Sequence, residues 1–516
     1  MNSAFAQPTN PAGALPRVLT IAGTDPTGGA GVQADIKSIQ AAGGYSYSVV
    51  TSLVAQNTTG VQEIFAPPVE FLRSQLRSVA DDVEIDAIKI GMLGTTEIID
   101  VVRDFLTAHA QTCRVVLDPV MVASSSDRLL TRDAEAALRE LARLADVITP
   151  NLPELAVLAG AEPAADFDTA IAQAQGLARE LGTTVIVKGG HLGGAHADNA
   201  VVTADGVHRV PVQRVDTKNT HGTGCSFSSA LATKLGAGLG TPAATEWASR
   251  WLHEAIAHAD ALAVGRGHGP VDHGHMNRRM QRAADTRPEH FLLIDAPPTP
   301  PLAAPAGPYT QALWDASAPY FTAIMELPFI RALGDGTLDR ADFLFYLEQD
   351  AYYLVKYARS LHTLGGAWAS DADEAIAAEQ EMQRTWLADL DRETLPSPVT
   401  RAYTDFLLAS TLGEPAAIGQ TAVLPCYWLY YEVGARLAER NHDAHPYRDW
   451  LATYAGDEFL ASVRGAIDRC ERTLADAADA GTDDILAAAV RACAVASRYE
   501  LDFFDQADRA WVIRDA

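Results

Sequence analysis

Six short runs of β-branched and aliphatic residues recur along the first part of the chain: Val18-Leu19-Thr20-Ile21-Ala22, residues 48–54, Ala87-Ile88-Lys89-Ile90, Val115-Val116-Leu117, Val147-Ile148-Thr149 and Val185-Ile186-Val187-Lys188. Between them lie helical patterns such as residues 32–42 and 134–144. Continuous apolar strands alternating with helices predict an α/β domain with a mostly parallel sheet and helices on both faces. Ligands of such sheets gather at the carboxyl ends of the strands. The polar residues fall there: Asp25 with the glycines of 28–31, then Gln56-Asn57, Gly91-Met92, Asp118, Asn151 with Glu154, and Lys188-Gly189-Gly190-His191.

A second stretch carries chemistry. Residues 216–232 run from Asp216-Thr217-Lys218-Asn219 through His221-Gly222-Thr223-Gly224-Cys225 into a small-residue helix. Gly222 and Gly224 allow a tight turn and close approach to a ligand, and the free N–H groups of the helix start favour an anion. The same motif also reads as a tight loop before a packed helix. Cys225 stands at the helix start, where its thiolate is expected to be favoured, which makes it a candidate base for a substrate hydroxyl. No Gly-Lys-Ser/Thr sequence exists to form a Walker loop. Phosphoryl transfer would therefore use the Gly222 to Cys225 turn, with Asp118 and Glu154 as candidate metal ligands. A strand-end acid also serves as a helix cap, so that reading stays open.

The 516 residues exceed one ordinary core. The formal charge of −26 argues against a nucleic-acid partner. No apolar run has the length of a membrane span, and residues 1–16 read as a loose tail without a signal-peptide pattern. The five cysteines, odd in number and widely spaced, suit a reducing cytoplasm. His268, His273 and His275, and likewise His442 and His445, read as loop histidines. From residue 277 the alternation stops, and a proline-rich segment reads as a connector over 277–308.

Beyond it the pattern is helical, over 343–361, 372–390, 398–410, 422–440, 447–451, 457–477 and 485–512, which predicts an all-α bundle. Helical spacing puts Cys426 with Tyr430, Asp350 with Tyr353, and Glu500 with Phe503 and Phe504. Each group alone reads as core. Together, a thiol, two carboxylates and aromatic faces suit nucleophilic attack on a flat heteroaromatic ring.

Ile21-Ala22-Gly23-Thr24-Asp25-Pro26, Ala55-Gln56-Asn57, Lys89-Ile90-Gly91-Met92, Asp118-Pro119-Val120-Met121, Thr149-Pro150-Asn151, Lys188-Gly189-Gly190-His191 and His221-Gly222-Thr223-Gly224-Cys225 resemble the hydroxymethylpyrimidine/phosphomethylpyrimidine kinases of the ribokinase-like fold, over residues 17–276. The resemblance implies phosphorylation of hydroxymethylpyrimidine and then of its monophosphate, with ATP and Mg²⁺. It places the pyrimidine among Asp35, Gln56, Met92 and Val120, and ATP at Asn151, Lys188, Thr217 and Thr223. It also implies Cys225 as proton acceptor beside the Gly222 and Gly224 anion hole, and Asp118 and Glu154 as metal shell. Pyridoxal kinase-like activity stays open.

Tyr346-Leu347-Glu348-Gln349-Asp350, Leu424-Pro425-Cys426-Tyr427-Trp428 and Tyr499-Glu500-Leu501-Asp502-Phe503 resemble the thiaminase II (TenA) family, of haem-oxygenase-like fold, over residues 309–516. That resemblance implies Cys426 as nucleophile, Asp350 on the aminopyrimidine and Glu500 as acid/base, with Tyr353, Tyr403, Tyr430, Tyr454 and Phe503 lining the pocket. Some relatives carry glutamate in place of the cysteine. The expected protein is a cytoplasmic, homo-oligomeric bifunctional enzyme of pyrimidine salvage and thiamin synthesis, free of nucleic acid and membrane. A non-catalytic helical module for binding or oligomerisation is the alternative.

Overall fold

The computed structural model describes residues 15–121, 132–284, 299–372, 386–387, 395–481 and 483–514. The chain divides into two compact units, Met1–Arg282 and Ala283–Ala516. Part of the helix expected over 372–390, most of the tail and residues 285–298 of the connector lie outside the described residues.

The first unit holds an eight-stranded sheet. Its strands are β1 (Arg17–Ala22), β2 (Tyr45–Val50), β5 (Ala87–Ile90), β6 (Arg114–Leu117), β7 (Val147–Ile148), β8 (Thr184–Lys188), β9 (Asn199–Val202) and β10 (Val207–Val210), in the order β10-β9-β8-β7-β6-β5-β1-β2. All pairings from β8 to β2 are parallel, and β9 and β10 add an antiparallel edge. The apolar runs thus form the sheet interior as expected, because strands buried on both faces carry no polar alternation. One face, with Leu19, Ile21, Ile88, Ile90, Val115 and Leu117, joins the main core. Toward the other, Thr20, Lys89 and Val116 stand in register across β1, β5 and β6. Helices Gly31–Ala41 and Thr223–Gly236 pack on this part of the sheet.

The run 48–54, read as one strand, is two. It breaks at Thr51 and Ser52, and β3 (Leu53–Asn57) leaves the sheet to pair antiparallel with β4 (Gly60–Phe65). The break has a polar cause. The Thr51 hydroxyl donates to the Met92 carbonyl at 2.7 Å, and Val54 N–H donates to the Thr24 hydroxyl at 3.0 Å. This tie carries Gln56 away from the sheet and beside the loop after β1, where its amide donates to the Thr24 carbonyl at 3.2 Å.

The second unit is helical. Helix Arg340–Leu364 carries Asp350 and Tyr353, Pro398–Gly413 carries Tyr403, Ala416–Leu437 carries Cys426 and Tyr430, Arg448–Ala455 carries Tyr454, and Asp483–Arg514 carries Glu500 and Phe503. Helices Pro308–Met325 and Pro328–Asp335 add to the expected set. The described end of the proline-rich segment is no free connector. Glu432, wholly buried, accepts from Leu302 N–H and Ala303 N–H at 2.9 Å, and the Trp428 indole donates to the Ala303 carbonyl at 3.1 Å. Arg436 pairs with Glu432 and donates to the Pro300 carbonyl at 2.8 Å. Trp428, Glu432 and Arg436 recur every four residues, so this strap lies along one side of the helix that carries Cys426. Among the described residues, no helix is long and apolar enough to cross a membrane.

Candidate active sites

In the first unit the loop after β1 is locked by its acid. Asp25, wholly buried, accepts from Thr27 N–H at 2.9 Å, Ala30 N–H at 2.8 Å and Gly29 N–H at 3.1 Å, and pairs with the His221 ring at 2.8 Å. Burial opposes its charge, but the His221, Thr27 and Ala30 bonds outweigh it and hold the carboxyl down at about 2. The clasp ties the Gly28–Ala30 loop to the loop that ends in Gly222. Gly222 caps helix Thr223–Gly236 at φ +81°, and a Cβ there would stand 1.7 Å from the Gly29 carbonyl oxygen. Only glycine fits.

The start of this helix lies beside the ends of β6 and β8. A Cβ on Gly224 would lie 3.3 Å from an Asp118 oxygen and 3.5 Å from Lys188 Nζ, so acid and ammonium face the turn. Asp118, at the end of β6, accepts from Lys188 and from the Thr149 hydroxyl at 3.0 Å each, and from the Ser228 hydroxyl at 3.4 Å. Its burial would raise its pKa, but the Lys188 and Lys89 ammonium groups bring it below the ordinary value. Burial pushes Glu154 up to about 7, against the pull of Lys188 and with the help of Asp118. Glu154 and Asn151 also form a capping box: each side chain accepts from the other's backbone N–H at 2.9 Å. The cap reading therefore holds for Glu154, and it occupies the Asn151 side-chain carbonyl. Thr217 lies farther along the loop, where its hydroxyl donates to Asp260 at 2.5 Å. Thr223 is the first helical residue. Met92 packs against Gly23, and Val120 follows Asp118 with its N–H on the Asp118 carbonyl.

Two expectations change. Cys225 does stand in the turn, with Gly31 N–H on its sulfur, but burial pushes the thiol up to about 11 against the pull of Lys89. The favoured thiolate is thereby corrected: desolvation exceeds what the helix start offers. Asp35 is wholly buried and already bonded to Lys89 at 2.8 Å, the Ser229 hydroxyl at 2.8 Å and the Thr20 hydroxyl at 2.5 Å. It forms a floor under the turn.

In the second unit one cavity is lined by Asp350, Tyr353, Tyr357, Cys426, Tyr430 and Tyr454, with Leu354, Tyr427 and Phe459. Four helices bring the groups together, the fourth being Asp457–Asp479 with Phe459. Gly434 lets helix Arg448–Ala455 approach, since a Cβ there would meet that of Tyr454 at 2.5 Å. Pro425 removes one helical N–H just before Cys426. The Tyr357 hydroxyl is in hydrogen-bonding contact with Cys426 and donates to the Val423 carbonyl at 3.0 Å. Tyr403 and Phe503, expected on the cavity lining, instead form a second row with Glu500, because Tyr353 packs between them and the cavity. The Tyr353 ring packs on Tyr403 at 5.1 Å and on Phe503 at 5.5 Å, and the Tyr403 hydroxyl donates to Glu500 Oε1 at 2.6 Å. Burial pushes Glu500 up to about 8, against the Tyr403 bond and with Asp350 adding to the rise. Its other oxygen is buried with no hydrogen-bond partner among the described residues. A carboxyl in that state holds a proton ready to give.

Comparison with known proteins finds a family for each unit. The phosphomethylpyrimidine kinase family model matches residues 25–272, and the TENA/THI-4/PQQC family model matches 314–386 and 387–510. The thiamine biosynthesis multifunctional protein ThiED of Corynebacterium efficiens is 54% identical over 524 residues, covering 96% of this chain and 70% of that protein. The chain belongs to the multifunctional thiamine biosynthesis proteins. Their Corynebacterium glutamicum member is 53% identical over 519 residues, covering 96% of this chain and 67% of that one. The hydroxymethylpyrimidine/phosphomethylpyrimidine kinase of Escherichia coli is 46% identical over 264 residues, half of this chain and 97% of that protein. A multifunctional thiamine biosynthesis protein of this kind joins an ATP-using hydroxymethylpyrimidine/phosphomethylpyrimidine kinase to a TenA-type domain.

Sequence reasoning passed over Asp25 and His221 as a clasp, Lys89 and Ser229 beneath the turn, and Tyr357 beside the second thiol. A signal existed for Lys89. A lysine inside the apolar run 87–90 must find a buried partner.

Proposed function

We propose that phosphoryl transfer takes place between the Gly222 to Cys225 turn and the Asp118–Lys188 pair, and that the helical cavity hydrolyses an aminopyrimidine through Cys426. The observation supporting the first is the convergence of an anion-binding helix start, an ammonium, two acids and a thiol at the carboxyl ends of the strands. The pyrimidine sits between Gln56, Met92 and Val120. Gln56 offers both a donor and an acceptor to an aminopyrimidine edge. ATP lies with its phosphates against Gly222, Thr223 and Gly224 and beside Lys188, flanked by Asn151 and Thr217. Asp118 and Glu154 suit Mg²⁺, which takes one or two carboxylates and otherwise water and phosphate oxygens. Glu154, pushed up to about 7 by burial, is a carboxyl whose ionisation a nearby dication would favour. When bound, the metal supplies charge neutralisation on the phosphates. The thiolate form of Cys225, a small fraction at neutral pH because burial holds the thiol up at about 11, takes up the hydroxyl proton as the oxygen attacks. Cys225→Ala is expected to lower kcat for hydroxymethylpyrimidine phosphorylation by about 10²- to 10⁴-fold with normal folding. Full turnover in that variant would remove the role.

In the helical cavity Tyr353 and Tyr430 stack the ring and Asp350 holds its amidine edge. Cys426 adds to the ring, Glu500 gives the leaving amine its proton as the exocyclic C–N bond breaks, and water then adds to that carbon as the Cys426–ring bond breaks and its electron pair returns to sulfur. The substrate is aminomethylpyrimidine or thiamin, and the product hydroxymethylpyrimidine serves the kinase site. The acid form of Glu500 predominates up to pH about 8. Hydrolysis is therefore expected to fall as pH rises through about 8, with that limb absent from Glu500→Gln, as a pH–rate profile of ammonia release would show. The sign for stability is the same. Because the folded-state value exceeds the ordinary glutamate range, the contribution is full below that range and is lost as pH rises through about 8. The five cysteines are all free thiols, in keeping with a reducing, cytoplasmic compartment.

A further inference from the structure

We propose that Lys89 is a positioning residue of the kinase site, its buried ammonium locked on Asp35 beneath the turn so as to favour Cys225 as acceptor of the substrate's proton. This deepens the reading of Cys225 above and rests on it. Lys89 lies mid-strand in β5, fully buried, between Thr20 of β1 and Val116 of β6. Its partner Asp35, at 2.8 Å, also accepts from Ser229 at 2.8 Å. Ser229 follows Cys225 by four residues, so both lie on one face of helix Thr223–Gly236. The ion pair therefore runs along the face that bears the thiol. Gly31, the first residue of the helix that carries Asp35, donates its N–H to the Cys225 sulfur. Gly91 leaves room for the ammonium, since a Cβ there would stand 2.9 Å from Lys89 Nζ.

A charge pair in the middle of a sheet is costly, and apolar residues of similar volume would serve packing as well or better. The pair makes sense as a field. Of the charged groups that act on Cys225, Asp35 and Asp118 disfavour the thiolate, and Lys89 is the strongest that favours it. Lys188 also interacts electrostatically with the sulfur. In the reaction the hydroxyl proton passes to the thiolate, the oxygen's electron pair forms the bond to the γ-phosphorus, and the bond from that phosphorus to ADP breaks.

The test follows the rate of iodoacetamide alkylation of Cys225 at one fixed pH of about 8.5 in the intact chain, with peptide mass spectrometry separating it from Cys426 and the buried Cys113, Cys470 and Cys493. Lys89→Met is expected to slow alkylation of Cys225 by about 10- to 10³-fold, the thiolate lost with one opposite charge. That variant leaves Asp35 buried and unpaired, so Lys89→Met with Asp35→Leu removes both charges and keeps the fold testable. Slower alkylation in both variants supports the proposal. An unchanged rate in the double variant overturns it, because Asp35's uncovered charge would then account for any slowing in the single one. Alkylation needs no turnover, so this result stands apart from the kinetics of Cys225→Ala.

Discussion

Replacing Cys426 by serine is expected to lower ammonia release from aminomethylpyrimidine by about 10³-fold or more while leaving ATP-dependent phosphorylation unchanged. The first half of that expectation follows from chemistry. A hydroxyl of nearly the same size keeps the cavity's shape, and its far higher pKa makes it a poor nucleophile without a base. Tyr357 cannot serve as that base. Its own hydroxyl donates to the Val423 carbonyl, and burial raises its pKa further. Glu500 cannot either, because it keeps its proton at neutral pH and its bonded oxygen is engaged by Tyr403. The second half follows from architecture, since the two units have separate cores. Substrate binding, read by fluorescence or calorimetry, should persist in the variant. Hydrolysis at the native rate would return the cavity to a binding module.

Most of this was legible in the residues, for reasons particular to each half. The sheet strands announce themselves because a strand buried on both faces has no room for polar alternation, as Val115, Val116 and Leu117 show with zero exposure. The run 48–54 misled for the same reason. Its break depends on the Thr51 hydroxyl finding a carbonyl forty-one residues away, which periodicity does not encode. The Cys225 thiolate was misjudged because a helix start is a local feature, whereas desolvation is set by everything packed around the sulfur. In the helical unit, spacing paired Cys426 with Tyr430 and Asp350 with Tyr353, but it could not rank them by depth. Only the fold puts Asp350, Tyr353 and Cys426 on the cavity wall and leaves Glu500, Tyr403 and Phe503 behind it. The strap on Glu432 was hidden by composition, because prolines that suit a linker equally suit an extended segment lying on a helix.

The largest effect on the kinase is expected from one methyl group. Gly222→Ala asks the backbone to keep φ +81° with a side chain and places that carbon 1.7 Å from the Gly29 carbonyl oxygen. The left-handed conformation alone costs about 1–2 kcal/mol. The clash must be relieved by movement, and the Gly28–Ala30 loop cannot yield by itself, since Asp25 holds two of its N–H groups together with His221. The turn therefore shifts as a whole and its N–H groups lose their aim, which should lower kcat for phosphorylation by about 10²- to 10³-fold. Gly224→Ala is the control that separates aim from space. Its φ lies in the ordinary range, and its Cβ would meet only Asp118 and Lys188, at 3.3 and 3.5 Å. That variant should keep its fold and raise KM for ATP more than it lowers kcat, because the methyl occupies room proposed for the phosphates while the turn stays in place. Equal losses in the two variants would mean that crowding near Asp118, and not the aim of the turn, limits transfer.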